Sequence, residues 1–243
     1  MLLINIAHRG LSDKAPENTL HSFDAALAAG MNHLEFDVQL TSDDIPVIIH
    51  DETIDRTTDQ KGEVRQMSYK EINKIPALNG FKGFEQIDES LLTIPSFSTL
   101  LDRYVDKAHL YIELKSFESH LPSVVAKTLH ECNALKYAKE PQDSAPGITI
   151  IAFSLEQVLR SKLILPQVRH GWLRYEFNKI DIELVKSYEL NGIYPFAGFV
   201  SEELVEYARQ LNIGVGVWGI EKRSEYKKLI NMGIHGATVN WLP

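Results

Sequence analysis

The sequence predicts an α/β fold, a TIM (β/α)8 barrel with an inserted segment after the second-strand hairpin, and three observations carry that reading. Period-2 and helical segments alternate along the chain, which calls for a parallel sheet with helices outside it. Nine strand candidates fall near residues 4–7, 34–39, 46–50, 110–114, 148–153, 169–173, 192–195, 214–218 and 236–239. The third follows the second after only Thr41–Ile45, too short for a parallel crossover, so it is an antiparallel hairpin arm. Eight strands remain, and eight βα units in about 250 residues is the size of such a barrel. A doubly wound open sheet is the runner-up, but no Gly-rich phosphate loop follows the first strand.

Each element has its own justification. Ile4–Ala7 is short and apolar, and Leu20–Ala29 is an Ala/Leu-rich helix stopped by Gly30. Leu34–Leu40 and Leu110–Lys115 alternate apolar and polar residues, as half-buried strands do. Ile148–Phe153 is a buried-type strand, and Ser154-Leu155-Glu156-Gln157 reads as a capping box opening the next helix. The C-terminal half repeats a unit of helix, Gly or Asn stop and short strand at Leu184–Asn191/Gly192, Glu202–Leu211/Asn212 and Tyr226–Met232/Gly233. Asp51–Pro95 is long and polar, with Gly62, Gly80 and Gly83, and is read as an insertion over the barrel mouth. Lys136–Gly147 carries two prolines and reads as a surface loop. No linker divides the chain, so residues 1–243 are taken as one domain with 51–95 inserted.

Composition narrows the function classes. The 243 residues are 44% hydrophobic and 24% charged, a globular balance. The longest strand-like apolar run, Ile148–Phe153, is six residues, far short of the roughly 18 that span a bilayer. Met1-Leu2-Leu3-Ile4-Asn5-Ile6 has no basic region or small-residue cleavage site and reads as a strand rather than a signal peptide. Cys132 is the sole cysteine, which excludes an intrachain disulfide and a cysteine-based zinc site. These features place the chain in the cytoplasm. A net charge of -8 repels duplex nucleic acid, so a small molecule is the expected partner, and an anionic one needs a local cation.

The chemistry is expected where charge lies on one strand face. Leu34, Phe36 and Val38 share one face of their strand and Glu35, Asp37 and Gln39 the other. Likewise Leu110, Ile112 and Leu114 oppose Tyr111, Glu113 and Lys115. The apolar faces meet the surrounding helices, so Glu35, Asp37 and Glu113 converge in the barrel mouth. Three carboxylates there are costly unless neutralised. Lys115 offsets one, and the remainder calls for a divalent cation with oxygen ligands, Mg²⁺, Ca²⁺ or Mn²⁺. His8 ends the first strand and His50 the hairpin arm; both border the acidic cluster, where two imidazoles can serve as general base and general acid. Arg9 offers a planar fork for a phosphate. Trp218, at the end of its strand, either lines the mouth or fills the barrel. His21, His33, His109, His120, His130, His170 and His235 have no comparable setting. Ser154 is better explained as a helix cap than as a nucleophile.

These residues resemble the glycerophosphodiester phosphodiesterase family, in its bacterial, cytosolic form. The matching stretches are Ala7-His8-Arg9-Gly10, Pro16-Glu17-Asn18-Thr19, Glu35-Phe36-Asp37-Val38, Pro46-Val47-Ile48-Ile49-His50-Asp51, Arg56-Thr57-Thr58 and Ile112-Glu113-Leu114-Lys115, in order along the chain. The resemblance implies a TIM barrel with an insertion after the His-Asp motif. It implies a divalent metal, Mg²⁺ or Ca²⁺, on Glu35, Asp37 and Glu113, acid–base work by His8 and His50, and phosphate binding by Arg9 and Lys115. It also implies that Glu17 and Asn18 support the site or contact substrate. The implied reaction is hydrolysis of glycerophosphodiesters to sn-glycerol 3-phosphate and an alcohol such as choline or ethanolamine. The chain departs from the family pattern at Trp218-Gly219-Ile220-Glu221 and at Gly233–Asn240, which bear on the pocket wall.

Three other readings compete, of which a metal-dependent sugar isomerase barrel would need metal ligands spread over more strands and gives no reason for the His-Arg-Gly start. A lysophospholipase D-like phosphodiesterase needs an apolar groove, for which Phe81, Phe84 and Ile87 are the candidates. A catalytically silent phosphodiester-binding module would be signalled by loss of a histidine or carboxylate, and none is lost.

Overall fold

The structure, a computed structural model, describes residues 3–78, 80–84, 86–138 and 144–243. Its strands are β1 (Ile4–His8), β2 (His33–Leu40), β3 (Pro46–Ile48), β4 (His109–Leu114), β5 (Gly147–Ala152), β6 (Arg169–Arg174), β7 (Gly192–Pro195), β8 (Gly214–Val217) and β9 (Gly236–Val239). The helices are α1 (Leu20–Ala28), α2 (Tyr69–Ile72), α3 (Phe97–Tyr104), α4 (Leu121–Glu131), α5 (Leu155–Ile164), α6 (Lys179–Ser187), α7 (Glu202–Gln210) and α8 (Arg223–Asn231).

The strands form one sheet in the order β1-β9-β8-β7-β6-β5-β4-β2-β3, and β1 also pairs with β2. Eight parallel strands therefore close on themselves, with helices between them, as a TIM barrel. Among the strands of the described residues, only β3 is antiparallel, paired with β2 through Val38↔Ile48, Gln39↔Val47 and Leu40↔Pro46. Its turn is closed by Asp44 in the left-handed region (φ 55°).

Every residue of β2 is buried although its sequence alternates, because both faces are covered. Leu34, Phe36 and Val38 join the outer core with Phe23, Phe97, Leu100 and Tyr104. The opposite face looks into the barrel, where Ile4, Ile6, Tyr111, Ile151, Leu173 and Tyr194 pack together. Tyr194 fits because its neighbours lack side chains: a Cβ on Gly171 would lie 2.1 Å from its ring, and one on Gly216 2.5 Å. The segment between β3 and α3 has a small core of its own, built on Val47, Ile49, Ile54, Val64, Ile72, Ile75, Ala77 and Ile94.

Two local readings need correction. Ser154 does cap α5 by accepting from the Gln157 N–H, but the Gln157 side chain does not return to close a box. It donates to the Ser116 and Glu118 carbonyls, tying α5 to the loop after β4. The stop after α6 is Glu189 (φ 52°), ahead of the expected Asn191/Gly192, whereas Asn212 and Gly233 stop α7 and α8 as expected. Of the predicted surface loop at 136–147, residues 139–143 lie outside the described residues, as do Met1 and Leu2 of the first apolar stretch. No helix among the described residues is long and apolar enough to cross a membrane.

Candidate active site

The site lies at the C-terminal ends of the barrel strands, where side chains from separate loops converge on one mouth. β1 ends in His8 and turns sharply through Arg9 (φ 56°) and Gly10 (φ 84°). Gly10 has no substitute: its φ is left-handed, and a Cβ would meet Ser22 Oγ at 2.3 Å. The turn returns the following loop to the site, with the Asn18 N–H and the Ser22 hydroxyl both donating to the Arg9 carbonyl, at 3.0 and 2.9 Å.

Three carboxylates form the floor. Glu35 and Asp37 come from β2 and Glu113 from β4; all are buried, and one oxygen of each lies within 4.8 Å of the others. Arg9 Nε stands 3.1 Å from Asp37 Oδ2, and the Asn18 amide donates to the same oxygen at 2.8 Å. Lys115 Nζ donates to Glu113 Oε1 at 2.9 Å and lies 3.8 Å from Asp37 Oδ1. The Arg9 N–H donates to Glu35 Oε2 at 3.2 Å. Glu35 Oε1 and Asp37 Oδ1 are buried without a hydrogen-bond partner.

Charge explains what these groups do to one another. Burial, then Asp37 and Glu113, pushes the Glu35 carboxyl well above its usual value. Burial and Asp37 push Glu113 up to about 7 against the pull of Lys115. Burial opposes ionisation of Asp37 too, but Arg9, His50 and Lys115 together hold it below the ordinary carboxylate range. Two fixed cations thus face three acids, and two buried oxygens are left unbonded. That donor set fits a hard divalent cation held by oxygens, and Glu35, Asp37 and Glu113 could hold it.

Two histidines, His8 and His50, line the cleft together with Glu35 and Glu113. His8 donates through Nδ1 to Asn240 Oδ1 at 2.7 Å; Ser12 donates to the same amide oxygen, and His8 Nε2 lies 3.9 Å from Glu35 Oε2. Burial, then Arg9, lowers the His8 pKa to about 4, although 30% of the side chain stays open to the mouth. His50 follows β3, where the Ile49 N–H bonds the Asp37 carbonyl at 3.0 Å, so the hairpin does bring His50 beside Asp37. His50 Nδ1 bonds Asp51 Oδ1 at 2.6 Å. Burial lowers its pKa, with Asp37 opposing. Asp51 itself is drawn down to about 2 by hydrogen bonds from Arg56 and His50, which outweigh its burial.

The rest of the mouth is aromatic. The cleft, about 600 Å³ out to open solvent, is lined by the histidines, Glu35, Glu113, Lys115 and a wall of Phe153, Tyr175 and Trp218. Phe153 and Tyr175 stack at 5.3 Å, and Trp218 meets them edge-on at 5.4 and 5.1 Å. The Trp218 indole donates to the Tyr194 carbonyl at 3.0 Å, which fixes its ring at the mouth rather than inside the barrel. Phe196 extends the wall from Trp218 at 5.1 Å.

The structure brings His8, Arg9, Glu35, Asp37, His50, Glu113, Lys115 and Trp218 together as the sequence predicts. Glu17 and Asn18 lie behind the mouth: Asn18 bonds Asp37, and Glu17 bonds Arg9 and Arg56. Phe81 and Phe84 pack on each other, and Phe84 on His21 of α1, and none of Phe81, Phe84 and Ile87 is among the residues lining this cleft. The sequence reading quoted Asp51 and Arg56 in the matching stretches and Asn240 in a departing one without giving any of them a role, and it did not single out Phe153 or Tyr175. The aromatic wall had a signal: Phe153, Tyr175, Phe196 and Trp218 each directly follow the last residue of β5, β6, β7 and β8.

Known proteins resemble this chain in sequence and fold. A glycerophosphodiester phosphodiesterase of Caldanaerobacter subterraneus is 29% identical over 97% of this chain and 93% of that relative. One of Bacillus subtilis is 26% identical over 98% of this chain and 84% of that relative. The structure of an Oleispira antarctica phosphodiesterase in complex with the product sn-glycerol-3-phosphate superposes with a TM-score of 0.81, at 27% identity, over 99% of this chain and 94% of that one. The sequence model of the glycerophosphoryl diester phosphodiesterase family matches residues 8–241, and the chain belongs to that family.

Proposed function

We propose that the protein hydrolyses glycerophosphodiesters, such as glycerophosphocholine or glycerophosphoethanolamine, to sn-glycerol 3-phosphate and an alcohol. The observation that carries this reading is that two histidines line the same cleft as a buried three-carboxylate floor that also holds Arg9 and Lys115. Glu35, Asp37 and Glu113 would hold Mg²⁺, Ca²⁺ or Mn²⁺, which supplies Lewis acidity toward a phosphoryl oxygen and an anchor for glycerol hydroxyls. Arg9 and Lys115 bind the phosphate and offset the charge that develops on it. His8 and His50 share the proton work: one takes a proton from the attacking hydroxyl, and the other gives one to the leaving alkoxide. Each presents Nε2 for this, because Nδ1 is committed to Asn240 or Asp51. Asn18 and Glu17 act from behind, on Asp37 and Arg9.

The aromatic wall supports a cationic head group. Faces of Trp218, Tyr175 and Phe153 offer cation–π contact to a quaternary ammonium, and Lys115 Nζ already lies 5.6 Å from the Phe153 ring centre. A lysolipid diester is the second reading. It is favoured by Tyr175 and Phe199, 63% and 51% exposed, which continue the aromatic surface outward. A silent binding module has no support from a missing group: both histidines and all three carboxylates are present.

The test is glycerol 3-phosphate release from glycerophosphocholine after chelation, followed by return of Mg²⁺, Ca²⁺ or Mn²⁺. Metal-restored release is the expected result. No glycerol 3-phosphate from this diester or the ethanolamine diester, and no choline from lysophosphatidylcholine, with any of the three cations would overturn the reading.

A further inference from the structure

We infer that Arg56 is a positioning residue that holds the two sides of the site, His50 and Arg9, in one fixed arrangement. The kinetic part of this inference rests on the phosphodiesterase reading; the geometry does not. Arg56 lies in the segment after β3 and reaches two carboxylates at once. NH1 and NH2 grip Glu17 at 2.8 and 2.9 Å, while Nε and NH2 bond Asp51 at 2.7 and 3.2 Å. Each carboxylate passes the constraint forward to a group at the mouth. Glu17 Oε1 accepts from Arg9 NH1 at 2.9 Å, and Asp51 Oδ1 accepts from His50 Nδ1 at 2.6 Å.

The result is a continuous chain, Arg9–Glu17–Arg56–Asp51–His50, running from the loop after β1 to the hairpin arm. Planarity is what makes it work. A guanidinium presents paired N–H groups along two edges, so it can fix two carboxylates in two directions, which a lysine ammonium cannot. Asp51 is ionised and only accepts, so the proton sits on His50 Nδ1 and Nε2 is left facing the mouth. Without Arg56, Asp51 and Glu17 each lose two charge-assisted bonds that help hold them toward His50 and Arg9.

The competing explanation is a plain fastening of the inserted segment to the barrel. Arg65 provides the comparison. It also fastens that segment, bonding the Thr41 carbonyl and pairing with Asp44 at 2.7 Å and Glu118 at 3.2 Å, and it is not among the groups lining the mouth.

The experiment pairs kinetics with imidazole ¹⁵N–¹H spectra of the full chain, the His50 signals being assigned with His50→Gln. In Arg56→Ala, the His50 Nδ1–H signal is expected to vanish into solvent exchange, and kcat/KM on glycerophosphocholine to fall at least about tenfold, since small misplacements of reacting groups cost that much or more. Millimolar guanidinium should restore part of the loss. Adding Arg56→Ala to Asp51→Asn should cost less than Arg56→Ala costs alone. Arg65→Ala should keep the His50 signal and near-parental turnover. The inference is overturned by an Arg56→Ala protein with the His50 signal and turnover intact, or by equal losses in Arg65→Ala. Should Arg56→Ala not fold, Arg56→Lys carries the same readouts with one carboxylate still reachable. A parent inactive on every diester would sink the phosphodiesterase reading, and the His50 signal would still decide the role of Arg56.

Discussion

Asp37 and Glu113 are lateral partners in the parallel β2–β4 pair, so two carboxylates project side by side from neighbouring strands into one buried volume. Burial, and then their repulsion, both favour the protonated form of Glu113. The Glu113 carboxyl is raised from 4.5 to about 7, so the folded state holds its proton more tightly than the unfolded chain. That contribution is complete below the unfolded value and is lost as pH rises toward 7. In chelator, Glu113→Gln should therefore melt above the parent, with a gap that widens from pH 5 to pH 8. Adding Mg²⁺, Ca²⁺ or Mn²⁺ should raise the parent's melting temperature and leave the variant nearly unmoved. Equal responses to the cation would remove Glu113 from the ligand set.

His8→Ala and His50→Ala should each cost at least about a hundredfold in kcat, the usual scale for general acid–base catalysis. Circular dichroism should be unchanged, since both rings sit at the mouth rather than in the core. Near-parental turnover in either variant would remove that histidine from the proton work.

Asn240→Ala should lower kcat roughly tenfold while moving KM little. The lost amide leaves His8 without its 2.7 Å acceptor and free to rotate. A matching rise in KM with kcat preserved would show that Asn240 serves binding instead.

Trp218→Ala should weaken use of the choline diester by about fivefold, the scale of one cation–π contact of about 1 kcal/mol. The neutral analogue with carbon in place of the ammonium nitrogen should suffer less. Equal losses on both would mean that the ring contributes shape alone.

Gly216→Ala should destabilise the fold by roughly 1–3 kcal/mol through overpacking. Its methyl group would meet the Tyr194 ring at 2.5 Å in an interior with no slack. A urea midpoint equal to the parent's would show that Tyr194 has room to move.

The sequence revealed most where geometry is periodic. Alternation in Leu34–Leu40 and Leu110–Lys115 sorted the acids onto the barrel's inner face, and the short Thr41–Ile45 turn forced β3 back along β2, bringing His50 to Asp37. Closure of the sheet then had to gather what each strand end carries. Contacts made by irregular loops follow no period. Arg56 sits in such a loop, and its partner Glu17 sits in another. Asn240 meets His8 across a separation of 232 residues, a pairing that only the closed ring creates. Gln157 shows the opposite failure: its local pattern was correct for a capping box, and a longer-range carbonyl pair captured the side chain instead.

The seam between β1 and β9 has a consequence in time. β9 pairs with β1 from Ile4↔Gly236 to Ala7↔Val239, and the residue after it steadies His8. During synthesis, every other site group leaves the ribosome before the one that orients the first histidine. A nascent chain can thus carry the acidic floor, both histidines and the aromatic wall and still lack a set geometry until the final strand docks. Recovery of turnover after denaturation should accordingly lag behind recovery of helix, and it reports the moment the ring shuts.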